Sequence, residues 1–256
     1  MTLFTVLIAG ALGLIIGSFL NVCIARLPAG ESVVSPGSRC PSCRTAIQWY
    51  DNVPVLSYVL LGGRCRACHA SISPRYPLVE AATGVAFAAQ AAVWGADLPM
   101  LASRLVLTAL LIALFGTDLE TQRLPNALTI PGAIAGVAFN LWVAPGLIAS
   151  LIGLAFGAFV LLAVRWLWER LKGVEGMGLG DVKMLAMIGA FLGWTQVWVV
   201  LFFASLAGAI VGIGLAASGR GSMKSRLPFG AFLAVAAFAS SLIGERLVAW
   251  YLSFYR

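Results

Sequence analysis

Long apolar runs alternate with short polar breaks over the whole chain, at about residues 3–25, 77–96, 99–117, 127–143, 146–167, 184–217 and 228–252. Runs of about 18 residues or more are the length of a membrane-crossing helix. The pattern predicts an all-α polytopic membrane protein. Composition agrees: 61% of residues are hydrophobic, 11% are charged and the mean hydropathy is +0.95, outside the range of soluble domains. The first run lacks the basic start and small-residue cleavage site of a secretory signal, so it is expected to stay as a first transmembrane helix, residues 1–25.

The net charge of +7 follows topology. Arg26, Arg39, Arg44, Arg64, Arg66 and Arg75 fall in the first loop, Arg123 in the next basic one, Arg165, Arg170, Lys172 and Lys183 in the third, and Arg220, Lys224 and Arg226 in the last. Intervening breaks hold almost none, which is the positive-inside pattern with all four basic loops cytoplasmic. A nucleic-acid partner is not needed to explain the charge; the bilayer is. Lys183 and Arg220 on one side require an even number of crossings between them. The run over 184–217, interrupted at Gly193-Trp194-Thr195-Gln196, therefore reads as two short spans or a re-entrant hairpin. About eight transmembrane helices result, with both termini outside.

Only residues 26–76 look soluble, and some fifty residues are too few to build a large core. The loop contains Cys40-Pro-Ser-Cys43 and, after 21 intervening residues, Cys65-Arg-Ala-Cys68. Two CxxC knuckles at this separation predict a zinc-ribbon-like site with Cys40, Cys43, Cys65 and Cys68 as ligands to a structural Zn(2+). Paired disulfides are the alternative, disfavoured in a reducing compartment. His69 has no required role beside four thiolates, and Cys23 reads as a small buried apolar residue.

Of ten acidic residues, Asp118, Asp181 and Glu80 lie where apolar runs meet polar breaks on the same predicted side. Carboxylates at a membrane boundary are costly and so are candidates for chemistry. Asp118 closes the third run, after which Pro125 breaks the chain and Asn126 stands ready to cap the next helix. Asp181 follows a glycine-rich approach running from Gly173 through Gly176, Gly178 and Gly180. There the backbone, at Gly178 and Gly180, is the candidate for holding an extended substrate. Two close carboxyls share a proton, so one can activate water while the other protonates a carbonyl oxygen or leaving amine. That chemistry is peptide hydrolysis by Asp118 and Asp181. Against it stand local ion pairs, Asp118 with Arg123 and Asp181 with Lys183, or proton sites of a coupled membrane transporter.

In order along the chain, Gly17-Ser-Phe-Leu-Asn21-Val, the paired CxxC knuckles, Ile72-Ser-Pro-Arg-Tyr-Pro-Leu-Val-Glu80, Asp118 with Leu124-Pro125-Asn126, Gly178-Leu-Gly180-Asp181-Val-Lys and Leu227-Pro-Phe-Gly230 resemble the motifs of the type IV prepilin peptidase family, GxGD-class membrane aspartyl proteases. The resemblance implies a bacterial inner-membrane enzyme with its active site on the cytoplasmic side. It implies removal of the leader from type IV prepilins or type II secretion pseudopilins after a glycine. Many members then methylate the new N-terminus with S-adenosylmethionine, and the zinc loop is typical of these; a member that methylates only pre-cleaved substrate is a third reading. Glu80 is the candidate contact for the methyl donor, a buried structural acid being the other reading. Asn126 stands where many members have Asp, and Ala231 where Pro is common, the latter with little expected effect. Residues 77–256 are expected to form the protease core.

Overall fold

The computed structural model describes residues 3–173, 177–218 and 227–254. Glu175 and Gly176 of the glycine-rich approach, and Arg220, Lys224 and Arg226 of the last basic loop, lie outside the described residues. The described chain is all-helical apart from two isolated bridges in the first loop. Its apolar helices are α1 (Leu3–Arg26), α3 (Arg75–Trp94), α4 (Leu98–Thr121), α5 (Asn126–Phe139), α6 (Leu147–Lys172), α7 (Leu179–Leu192), α8 (Trp194–Ala217) and α9 (Phe229–Ser253); α2 (Leu56–Leu60) is a single turn in the loop.

Each predicted run is a helix. The break inside 184–217 falls at one residue, Gly193, whose φ of +79° is costly for other residues and whose missing side chain leaves room for Pro145. The crossing number is coarser than the charge count gave. Among the described residues five helices, α1, α4, α6, α8 and α9, are long and apolar enough to span. Of the three that fall short, α3 is long enough but carries Arg75, Glu80 and Gln90, and α5 and α7 are short. The latter two have 14 residues each, about 21 Å at 1.5 Å per residue, against about 30 Å of hydrocarbon.

The chain forms two compact units, one through Leu101 and the other from Ala102. In the first, α1 lies against α3 on a glycine seam. A Cβ on Gly13 would stand 2.6 Å from the Thr83 carbonyl oxygen, and one on Gly17 2.7 Å from the Glu80 Cα. Asn21 Nδ2 donates to the Tyr76 carbonyl at 3.0 Å. Gly17 and Asn21 of the opening motif thus hold two helices together.

In the second unit α7 is the centre. Val182 and all of 184–192 are buried, packed among Leu107, Leu111 and Leu114 of α4, Val197 and Val200 of α8, and Leu233 and Ala237 of α9. Gly153 and Gly157 of α6 touch the α7 backbone at Gly189 and Leu185, so this GxxxG pair is a close crossing. Because α7 stops inside the bundle, its last carbonyls need partners from the protein. Asn140 Nδ2 donates to Ala190 O at 2.6 Å and Phe191 O at 3.2 Å, Ser150 Oγ to Ala190 O at 2.6 Å, and Arg104 Nη1 to Phe191 O at 3.5 Å. Arg104 is buried beside Glu245, 3.7 Å away. Its charge also complements the negative end of α7. Trp142, Trp166, Trp168, Trp194, Trp198 and Trp250 are all exposed, as side chains at a membrane–water boundary are.

Asn140→Leu removes two donors from the buried end of α7. The expected cost is about 1–3 kcal/mol, measured as reversible unfolding in detergent, and an unchanged midpoint would contradict this capping.

Candidate active site and metal centre

Asp118 sits in the last turn of α4, where that helix's own carbonyl end disfavours an anion. The start of α9 compensates. Pro228 is its N-cap, and the Gly230 and Ala231 N–H groups bond the Asp118 carboxylate, Ala231 N–H to Oδ2 at 2.8 Å. Asp118 is only 4% exposed. A Cβ on Gly230 would come within 2.9 Å of its Oδ2, so this position admits the carboxylate because it has no side chain.

Asp181 is the third residue of α7 after the N-cap Gly178, and its carboxylate accepts the Gly178 N–H. This is the returning half of a capping box, at the helix end that favours negative charge. The two aspartates line one cavity of about 250 Å³ together with Gln122, Arg123, Leu124, Gly178 and Gly180. They are close enough for the charge of Asp118 to act on Asp181.

Neither aspartate forms an ion pair among the described residues. Lys183 Nζ instead donates to Asn126 Oδ1 at 2.8 Å, and Arg123 lines the cavity without an ion pair to Asp118. The expected cap by Asn126 is corrected: Pro125 holds the N-cap position of α5, with no side-chain cap bond, and the Asn126 side chain turns to Lys183. Gly180 lies on the cavity wall where Leu124 closes against it, 3.0 Å from an added Cβ. Gly178 is beside it with its N–H given to Asp181. Arg165 of α6 donates to the Met177 carbonyl at 2.9 Å and steadies the approach to this N-cap.

Gly230 and Ala231 were not legible as site residues, since a main-chain donor leaves no mark in residue type. Ala231 N–H is a direct donor to Asp118, a bond that a proline at this position could not make.

Glu80, in the first unit, is buried; its Oε2 accepts the Val55 N–H at 2.7 Å, and it also bonds Ser18. It fastens the loop chain to α1 and α3. The four cysteines of that loop meet, their sulfurs all within 4.8 Å of one another, with Cys40 Sγ and Cys68 Sγ 3.8 Å apart. Four thiolates at about 2.3 Å from a tetrahedral metal have sulfurs about 3.8 Å apart, so the cluster could hold a metal ion.

The two knuckles repeat one turn. Cys40 N–H donates to Thr45 O and Arg44 N–H to Cys40 O; Cys65 N–H donates to Ala70 O and His69 N–H to Cys65 O. Arg44 and His69 occupy the same left-handed position, at φ 59° and 57°.

Bonds with the side chain and backbone of Thr45 pull the Cys43 thiol down to about 6. The backbone at Cys68 and Ala67 lowers Cys65. Cys68 rises to about 11: the Ala70 backbone lowers it, but Cys43, burial and the other two sulfurs outweigh that. Four sulfurs this close cannot all ionise without a cation. Arg66 closes the loop with a bidentate bond to Asp51, at 2.8 and 2.6 Å, holding that carboxyl below its usual range.

The purified chain is expected to carry about one metal ion per molecule, as a four-thiolate site holds. Cys65→Ser should lower that content by elemental analysis, and parental content in the variant would contradict the site.

Comparison with known proteins agrees with this layout. Residues 11–94 match the Bacterial Peptidase A24 N-terminal domain and residues 105–213 the Type IV leader peptidase family. A prepilin leader peptidase/N-methyltransferase of Burkholderia pseudomallei is 39% identical over 259 residues, covering 91% of this chain and 84% of the relative. Proteins of the same name from Aeromonas hydrophila (39% identical, 94% and 91% covered) and Stutzerimonas stutzeri (37%, 98% and 95%) are similar over nearly their full lengths. No solved structure matches the chain. With identity at this level along most of both partners, the chain belongs to the type IV prepilin leader peptidase family.

Proposed function

We propose that this protein is a membrane aspartyl endopeptidase that removes the leader from type IV prepilins or type II secretion pseudopilins after a glycine, and then N-methylates the new N-terminus. The observation that carries the peptidase reading is the cavity lined by both Asp118 and Asp181, each bonded by the first amides of a helix. One carboxylate takes a proton from water as its oxygen attacks the scissile carbonyl carbon. The other carboxyl gives its proton to the carbonyl oxygen. When the tetrahedral intermediate collapses, the C–N bond breaks, the amine leaves protonated, and the pair again holds one proton. Fixed amides at the carboxylates keep them oriented without reorganisation during the reaction.

The cavity lies at the end of α4 that leads into Arg123 and at the end of α7 beside Lys183, which by the positive-inside rule is the cytoplasmic rim of the inner membrane. The same rule supports eight crossings; α7 is enclosed by the bundle, whereas α5 buries Thr129, Gly132 and Gly136 and turns Ile130 and Ile134 outward. The domain division that goes with it is the first helix to residue 25, the metal loop over 26–76 and the protease core over 77–256.

Zinc suits the four thiolates best, as a closed structural site that folds a loop with little core of its own. S-adenosylmethionine, when bound, supplies the methyl group for the amine freed by cleavage. Glu80 does not fit as its contact, because its carboxylate is buried and engaged with Val55 and Ser18; its role is to anchor the loop. A transporter that uses the two aspartates as proton sites has no support among the relatives.

Asp118→Asn and Asp181→Asn should each abolish prepilin cleavage by purified enzyme, and retained cleavage in either variant would reject the assignment. Gly230→Ala should lower kcat by more than tenfold, the scale of losing a fixed charge-assisted bond of about 1.5–3 kcal/mol; a parental kcat would reject the cradle formed by α9. A pair that works with one shared proton loses activity on acidification as it takes the second. A rate flat down to strongly acidic pH would contradict sharing.

A further inference from the structure

Leu124 is the one apolar side chain among the described residues that line the cavity of the two aspartates. It touches both helix starts that present them. A Cβ on Gly180, the residue before Asp181, would stand 3.0 Å from Leu124 Cβ and 3.3 Å from its Cδ1, and a Cβ on Gly230, whose N–H bonds Asp118, would stand 3.0 Å from the same Cδ1. One leucine thus lies between the two backbones. The leucine is itself held in place: Pro125 keeps the residue before it in extended backbone, Asn126 Oδ1 accepts a bond from Lys183 of α7 at 2.8 Å, and the leucine side chain packs against the hydrophobic core of the unit.

We infer that Leu124 is a positioning residue, a wedge between the starts of α7 and α9 that sets the separation across which Asp118 and Asp181 work as a pair. This rests on the peptidase reading of the two acids. Two carboxyls share one proton only over a short gap, and each acid here is bonded to the start of a different helix. The gap is therefore only as well defined as the packing between those starts. A leucine suits the task, because it fills a fixed volume in few rotamers and has no donor or acceptor to compete for the shared proton or the water.

Leu124→Ala empties the wedge. For prepilin cleavage its kcat is expected to fall about ten- to a hundredfold, the scale of a misplacement of up to about 1 Å, while KM changes less than about twofold. Leu124→Met, which restores the volume with a flexible chain, is expected to regain most of the loss. A second readout needs no activity. In an Asp118→Cys/Asp181→Cys background, thiol cross-linkers of graded length should join the two positions best at one length with Leu124, and over a spread of lengths with Leu124→Ala; should that variant not fold, Leu124→Val, which removes one carbon, carries the same comparison. A parental kcat in Leu124→Ala would overturn the inference, as would a raised KM with parental kcat, which would make the leucine a substrate contact, or an unchanged length preference. Cleavage retained by Asp118→Asn would instead sink the peptidase reading, so the two failures are separable.

Discussion

A helix of 14 residues is shorter than the hydrocarbon layer, and the far end of α7 is buried in the bundle, so its last carbonyls must be satisfied by protein rather than water. The second unit is arranged around this requirement. Asn140, Ser150 and Arg104, from α5, α6 and α4, converge on its last carbonyls. Glycines of α6 let that helix close on its flank. The first turn opens on a glycine N-cap, and the residue that returns to that cap is Asp181. The position of Asp181 in the bundle is thus set by the same contacts that make a short helix tolerable there.

Asp118 has the reverse problem, being an acid at the wrong end of its own helix. The start of α9 resolves it by aiming two amides at the carboxylate. The two acids of one cavity are therefore held by different helices that begin there, α7 and α9, and the chain between them needs only to keep those helix starts in register. Small residues do this: Gly180 admits Leu124, and Gly230 admits Asp118. A larger side chain at Gly230 would enter the space the Asp118 carboxylate uses, and one at Gly180 would meet Leu124.

Much of this was legible in the residues. Apolar runs gave the helices, Gly193 the interruption, and the two CxxC pairs the meeting of four sulfurs. The convergence of Asp118 and Asp181 followed from their shared place at the ends of runs. Three things escaped, each for a physical reason. The number of full crossings is not fixed by apolarity, which reports burial in protein and in lipid alike. The partners of Asp118 are main-chain groups, and a backbone N–H has no letter in the sequence. Arg104, Asn140 and Ser150 act across 40 or more residues on carbonyls whose helix end could not be placed in depth beforehand. Asn126 shows the limit of local rules, since proline already held the cap position and the nearby Lys183 offered a better partner.

Catalysis here requires one proximity, that of the carboxylates of residues 118 and 181 across a single small cavity. Its most direct measurement is cross-linking of an Asp118→Cys/Asp181→Cys variant in native membranes by a short bifunctional thiol reagent, with the linked peptides identified by mass spectrometry. Joining of the peptides that carry positions 118 and 181 in most molecules is the predicted result. Absence of that link, while each cysteine alone is modified by the same reagent, would contradict it.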